Sequence, residues 1–292
     1  MPTSAPYLPS GGSPSGNRVW LITGASTGLG RALAEEVIAA GDRLIATARD
    51  VTAVKDLAES APDQVQALPL DVTDPAGIRA AVAAATSTFG QIDVLVNNAG
   101  FAYRGALEEI SDTEVRAQFD TNVFGLLDVT RAVLPGMRAR RSGTIVQISS
   151  VGGVTATVGG TAYAGTKFAL EGLSEGLAAE VAHLGIRVVI AEPGPFRTDF
   201  TGRSVRWASQ PIDDYRSVLE PARKQFTAMH GNQPGDPHRA ARAIIAATRM
   251  DSPPLRLPLG ANAVDRIRTT LQQRLKDIDD VEPLGRPADY LD

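Results

Sequence analysis

Seven apolar runs of strand length recur along this chain with helical stretches between them, at residues 19–23, 43–48, 65–70, 92–97, 143–149, 186–192 and 255–259. Strands that alternate with helices are joined by crossover connections, and crossovers build parallel sheets. Each run is close to continuously apolar instead of alternating, as expected of strands covered by helices on both faces. The chain is therefore expected to be an α/β protein with a doubly wound, seven-stranded parallel sheet.

The helical stretches carry their own punctuation. Residues 28–40 repeat Leu33, Val37 and Ala40 at helical spacing, with Gly41 placed for a left-handed stop. Thr73 and Asp74 ahead of Pro75 mark another helix start, since Pro is tolerated in a first turn. With no internal repeat or linker, residues 18–260 read as a single catalytic domain. Residues 1–17, rich in Pro, Gly and Ser, read as a flexible leader without the cationic start and apolar stretch of a signal peptide. Residues 198–237 read as long and irregular. They carry Trp207, Tyr215, Phe226 and Met229, which suit a substrate lid over an apolar ligand or simple packing onto the domain. An amphipathic helix is expected over residues 261–278, followed by a tail to residue 292.

Composition narrows the chemistry. The 292 residues include no Cys and three His (His183, His230, His238), which removes disulfides, thiolate zinc sites and cysteine nucleophiles and leaves little for a metal centre. A net charge of −4 argues against a nucleic-acid binder. The longest uncharged stretch, 142–166, is too diluted with Gly, Ser and Thr to cross a bilayer. A soluble, cytoplasmic protein with no membrane partner is expected.

The first strand runs into Thr23-Gly24-Ala25-Ser26-Thr27-Gly28-Leu29-Gly30 and then directly into a helix. Glycines at a strand-to-helix turn let the backbone approach a pyrophosphate, which the free N–H groups and dipole of the helix start stabilise. A rival pattern overlaps it: Gly24-Ala25-Ser26-Thr27-Gly28 fits the nucleophile elbow of α/β-hydrolases, with Ser26 as nucleophile, although that elbow normally follows several strands. Further along, Tyr163 and Lys167 stand four residues apart at the start of a helical segment running to about His183, hence on one face. A Tyr with a pKa near 10 is a poor proton donor or acceptor at neutral pH, and a neighbouring ammonium shifts it toward the useful range. Thirteen residues upstream, Ser150 ends a strand and offers a hydroxyl to the same substrate oxygen.

With these motifs in order, the sequence over about residues 18–260 resembles the short-chain dehydrogenase/reductase family. The resemblance rests on the turn at residues 23–30, Asp71-Val72, Asn97-Asn98-Ala99-Gly100, Asn122, Ser150, Tyr163, Lys167 and Pro193-Gly194 with Thr198. It implies a Rossmann-type fold and an NAD(P)-dependent alcohol or ketone oxidoreductase. Tyr163 would be the general acid/base. Lys167 would lower its pKa and bond the nicotinamide ribose, and Ser150 would position and polarise the substrate oxygen. Asn122 would hold a water linking Lys167 to solvent, or alternatively bridge helix backbone. Gly24, Ser26, Thr27, Gly28, Leu29 and Gly30 would cradle the pyrophosphate, and Asn97, Ala99 and Gly100 would floor the adenine ribose site. Asp71, beside Val72, would accept from the adenine amino group or serve as a turn former. Pro193, Gly194 and Thr198 would pass beside the nicotinamide.

A carboxylate at the end of the second strand marks NAD users, and an Arg there marks NADP users. Ala48 takes the usual acid position and Arg49 follows, which favours NADP(H) over NAD(H); Asp50, one residue on, is the competing contact. The expected substrate is a small, largely apolar carbonyl compound or alcohol. The alternative of another class is an NADP-binding regulator without turnover. Small residues on the helix after Tyr163 (Ala169, Gly172, Gly176, Ala178, Ala179) hint at close helix packing between subunits, and the resemblance points to a homodimer or homotetramer through this helix and the one holding Asn122.

Overall fold

The computed structural model describes residues 17–290, so all of the expected leader except Asn17 lies outside the described residues. Among them are the strands β1 (Val19–Ile22), β2 (Arg43–Ala48), β3 (Val65–Pro69), β4 (Val94–Asn97), β5 (Ala102–Arg104), β6 (Gly143–Ile148), β7 (Ile186–Pro193), β8 (Val205–Trp207) and β9 (Arg256–Leu259). The helices are α1 (Gly28–Ala39), α2 (Lys55–Ser60), α3 (Pro75–Phe89), α4 (Asp112–Phe119), α5 (Leu126–Arg140), α6 (Thr161–Val181), α7 (Arg216–Ala228), α8 (Pro237–Thr248) and α9 (Ala261–Gly285).

The seven expected runs are the strands of one parallel sheet in the order β3-β2-β1-β4-β6-β7-β9, which is the Rossmann-type arrangement. Within a strand, successive side chains enter opposite cores. Trp20 and Ile22 of β1 join Leu44, Val94, Val146 and Val189 beneath Leu33 and Val37 of α1 and Ile244 of α8. Val19 and Leu21 join Ile45, Leu95, Ile145 and Val188 beneath Ile78 of α3, Val129 and Val133 of α5 and Val181 of α6. Two apolar faces per strand explain the continuous apolar runs. Helix starts follow local chemistry. Asp74 accepts from Ala76 N ahead of Pro75, as the sequence implies, and Ser111 and Glu114 form a reciprocal capping box on α4. Gly41 takes the expected left-handed conformation after α1, at φ +76°.

Three features depart from the sequence reading. β5 and β8 pair in a second, two-stranded parallel sheet that none of the seven runs foretold, because each has three residues and they meet across about a hundred positions. The segment 198–237 is less irregular than expected, since it contains β8 and the 13-residue helix α7. Pro221 lies inside that helix and disguises it in the sequence. Finally, α9 continues through Pro283 to Gly285, past the end expected at residue 278. No helix among the described residues is long and apolar enough to cross a membrane.

Candidate active site

The order of the main sheet reverses between β1 and β4, and at such a switch point the loops leaving the two strands part to form a crevice. Thr23, at the end of β1, accepts hydrogen bonds on Oγ1 from the backbone N–H groups of Asn98 (2.9 Å) and Ala99 (3.0 Å). Asn98 returns the contact, its Nδ2 donating to the carbonyls of Thr23 (2.9 Å) and Gly24 (3.0 Å). This clasp leaves no room for side chains. A Cβ on Gly30 would lie 2.3 Å from Asn98 Nδ2 and 2.4 Å from the Gly24 carbonyl, and Gly24 itself has φ +67°. Thr27 makes no side-chain cap and the first turn of α1 holds no acid, so its leading N–H groups and their partial positive charge are left for a ligand.

At the end of β2, Arg49 is exposed and lines the cleft. Asp50 is engaged within its own turn. Its Oδ1 accepts from Thr52 N (3.0 Å) and Thr52 Oγ1 (2.7 Å), capping the short 3-10 turn that follows. Asp71 lines the cleft while its Oδ1 accepts from the N–H (2.9 Å) and hydroxyl (2.7 Å) of Thr73, so it is a turn former in either reading of its role.

The other end of the cleft is built by β6 and α6. Ser150 leaves β6 and accepts from Gly152 N (3.0 Å), which fixes its hydroxyl. Tyr163 stands one helical turn before Lys167 and over it, with the ammonium 5.8 Å from the ring centroid. Lys167 is buried and donates to the Ile148 carbonyl at 2.7 Å; burial holds its pKa down to about 8. Burial also raises the phenol of Tyr163 above its ordinary value, and the neighbouring Ser150 hydroxyl and the charge of Arg104 draw it back. The group that opposes burial at Tyr163 by charge is thus Arg104, where the sequence pointed to Lys167.

Asn122 lies in a π-helical turn (Asp120–Gly125) between α4 and α5, fully buried. Its Oδ1 accepts from Phe101 N (3.0 Å), and its Nδ2 donates to the Phe101 carbonyl (2.8 Å) and Thr166 Oγ1 (3.2 Å). Both amide hydrogens and one lone pair of the oxygen are thus taken up within the chain, tying the loop after β4 to α6.

The glycine turn, Arg49, Asp71, Ser150, Tyr163 and Lys167 face one cleft of about 1390 Å³, larger than a typical single-ligand pocket and roomy enough for two ligands end to end. Residues 18–209 match the sequence pattern of the short chain dehydrogenase family. The chain belongs to the short-chain dehydrogenase family. It is 45% identical to a short-chain dehydrogenase from Streptomyces avermitilis, with a TM-score of 0.88 over 94% of this chain and 98% of that one. It is 38% identical to the oxidoreductase calM of Penicillium decumbens over 284 residues, 93% of each chain, and 36% identical to human retinol dehydrogenase 8 over 254 residues, 82% of this chain and 80% of that one.

In this short-chain dehydrogenase most of the residues singled out in the sequence do meet at the cleft: Gly24, Ser26, Thr27, Gly28, Leu29, Arg49, Asp71, Val72, Ala99, Gly100, Ser150, Tyr163, Lys167, Pro193, Gly194 and Thr198. Three do not line it. Gly30 supports the turn from behind, Asn122 acts through the Phe101 backbone, and Asn97 points into the core, donating to Thr130 Oγ1 at 2.8 Å. Asn98 occupies the position at the cleft instead. Of the four lid candidates, Phe226 and Met229 line the cleft. Trp207 packs behind it, edge-on to Phe226, and Tyr215 donates to Glu108 at 2.8 Å. Sequence reasoning missed Arg104, Phe101 and Phe200, which complete the wall near Tyr163. The hydrolase reading finds no support: no histidine lines the cleft among the described residues, His230 bonding Thr201 and His238 bonding Glu36.

Proposed function

We propose that this protein transfers hydride between NADP(H) and the carbonyl or secondary alcohol of a largely apolar substrate, with Tyr163 as the general acid/base. The observation that carries the reading is the convergence of Ser150, Tyr163 and Lys167 on one end of a cleft whose other end is the glycine turn at the start of α1. The cofactor supplies the hydride; the chain supplies placement and proton handling.

The residues present fit a dinucleotide. Side chains are excluded where Gly24 and Gly30 press against Asn98 and Ala99, and uncapped N–H groups at the start of α1 suit a pyrophosphate. Arg49 is free to meet a 2′-phosphate while Asp50 is engaged as a cap, which supports NADP(H) over NAD(H). Ala99 and Gly100 would lie under the adenine ribose, Asp71 and Val72 beside the adenine, Lys167 at the nicotinamide ribose, and Pro193, Gly194 and Thr198 along the nicotinamide.

In the free protein the raised pKa of Tyr163 keeps its phenol protonated at neutral pH, the state required to donate to a carbonyl oxygen in reduction. Ser150, fixed by Gly152, would hold that oxygen. Phe101, Phe200, Phe226 and Met229 supply apolar wall for the body of the substrate.

The test is steady-state turnover of a carbonyl panel with NADPH and NADH. Tyr163→Phe is expected to lower kcat by about 10²- to 10⁴-fold while retaining cofactor binding. Arg49→Ala is expected to damage NADPH use selectively. Unaltered turnover in Tyr163→Phe would overturn Tyr163 as the acid/base, binding of NADPH with no substrate reduced would favour the regulator, and a preference for NADH would overturn the cofactor assignment.

A further inference from the structure

Arg104 ends β5 at the wall of the cleft beside Tyr163. Its guanidinium lies over Phe226 (4.5 Å to the ring centroid) and Trp207 (5.6 Å), and Nη2 donates to the Val158 carbonyl at 3.1 Å. Nε is shielded from solvent and has no acceptor among the described residues. No carboxylate among them pairs with this guanidinium either. The acids just beyond the strand are engaged elsewhere: Glu109 accepts from Ala106 N (2.9 Å) and Ile212 N (2.8 Å), and Glu108 accepts from Tyr215.

A desolvated cation without a counter-ion is costly, and aromatic stacking offsets only part of that cost. The surroundings add positive charge where balance would call for negative. Arg206 stacks over Phe101 (5.7 Å) and Tyr103 (5.8 Å), and Arg223 over Trp207 (5.1 Å). Of these only Arg206 also lines the cleft, so with Arg104 the wall beside Phe101 carries two guanidiniums on aromatic rings. An anion bound in the cleft would supply the counter-charge that Arg104 lacks, and a guanidinium pairs well with a carboxylate.

We propose that Arg104 binds a carboxylate on the substrate, so that the enzyme reduces an oxo acid, or oxidises the matching hydroxy acid, whose apolar chain lies along Phe226 and Met229. This rests on the hydride-transfer reading above. The carboxylate is a spectator in the electron balance: the carbonyl carbon gains the hydride of NADPH, its oxygen gains the proton of Tyr163, and the acid group is unchanged. Arg104 is then a specificity-determining residue, and its stack on Trp207 and Phe226 with the bond to Val158 holds the guanidinium in place before substrate arrives.

The experiment compares medium-chain oxo acids with their methyl esters as substrates, with NADPH, in the wild type, Arg104→Gln and Arg104→Lys, each checked for an unaltered melting temperature. A charged hydrogen bond is worth about 10- to 100-fold in affinity, so the wild type should favour acid over ester in kcat/KM by about that factor, chiefly through KM. The acid-to-ester ratio should collapse toward one in Arg104→Gln and fall part-way in Arg104→Lys. Calorimetric binding of the unreactive alkanoic acid, against its primary amide, gives a readout independent of turnover, and the preference for the acid should vanish in Arg104→Gln. Equal use of acid and ester by the wild type, or a ratio unchanged in Arg104→Gln, would overturn the proposal and leave the reductase reading standing. Arg104-dependent acid binding without NADPH oxidation by any carbonyl compound would overturn the reductase reading instead.

Discussion

Lys167 and Glu192 feel the same physics with opposite sign. Burial disfavours charge, so the ammonium of Lys167 is held down to about 8 and the carboxyl of Glu192 is pushed up to about 7, the latter with help from Glu171 and against the pull of Arg256. Glu192 is almost wholly buried, and neither of its oxygens has a hydrogen-bond partner among the described residues. A carboxyl whose folded pKa exceeds the unfolded one contributes stability at low pH and loses it as pH rises from about 4.5 through 7. Glu192→Gln should therefore match the wild type near pH 4.5 and exceed it above pH 7, by on the order of 2 kcal/mol. Urea denaturation across that range checks this, and a difference independent of pH would refute it. Residues such as Ser150, Tyr163 and Lys167 were legible in the sequence because one helical turn and one strand end fix their relation locally. Arg104 was not, since its neighbours Val158, Trp207 and Phe226 reach it only through tertiary folding.

At the scale of elements, the main sheet was legible for a similar reason. Strands buried on both faces write themselves as apolar runs, and short crossovers fix the parallel direction. β5 and β8 carry three residues each and no period, and α7 hides behind Pro221. The joint between β1 and α1 gives the sharpest prediction here. A Cβ on Gly30 meets backbone at 2.4 Å, so Gly30→Ala must displace the turn; a loss of at least about 2 kcal/mol and of NADPH affinity is expected by thermal melting and cofactor fluorescence. Near-wild-type affinity in that variant would show that the turn does not hold the dinucleotide.

At the scale of the whole molecule, one helical face remains open. Gly172 and Gly176 of α6 have empty space where side chains would be, and Leu173 beside them is exposed. This open stripe supports the proposed association of subunits through α6. Leu173→Arg is expected to shift sedimentation at micromolar concentration toward the monomer while leaving the melting of the isolated fold nearly intact. A wild type already monomeric under those conditions would end that proposal.

The small β5–β8 ladder has a mechanical consequence. β8 leads into the segment bearing α7, whereas β5 carries Arg104 and continues into Gly105, whose N–H bonds the Gly159 carbonyl (3.1 Å) just ahead of α6 and Tyr163. The segment bearing α7, the proposed anion fork and the proposed proton donor are thereby tied together by two short strands and one hydrogen bond. Substrates whose chains pack poorly against Phe226 and Met229 would then be held weakly at both walls at once, while the acid-over-ester selectivity stays chiefly in KM.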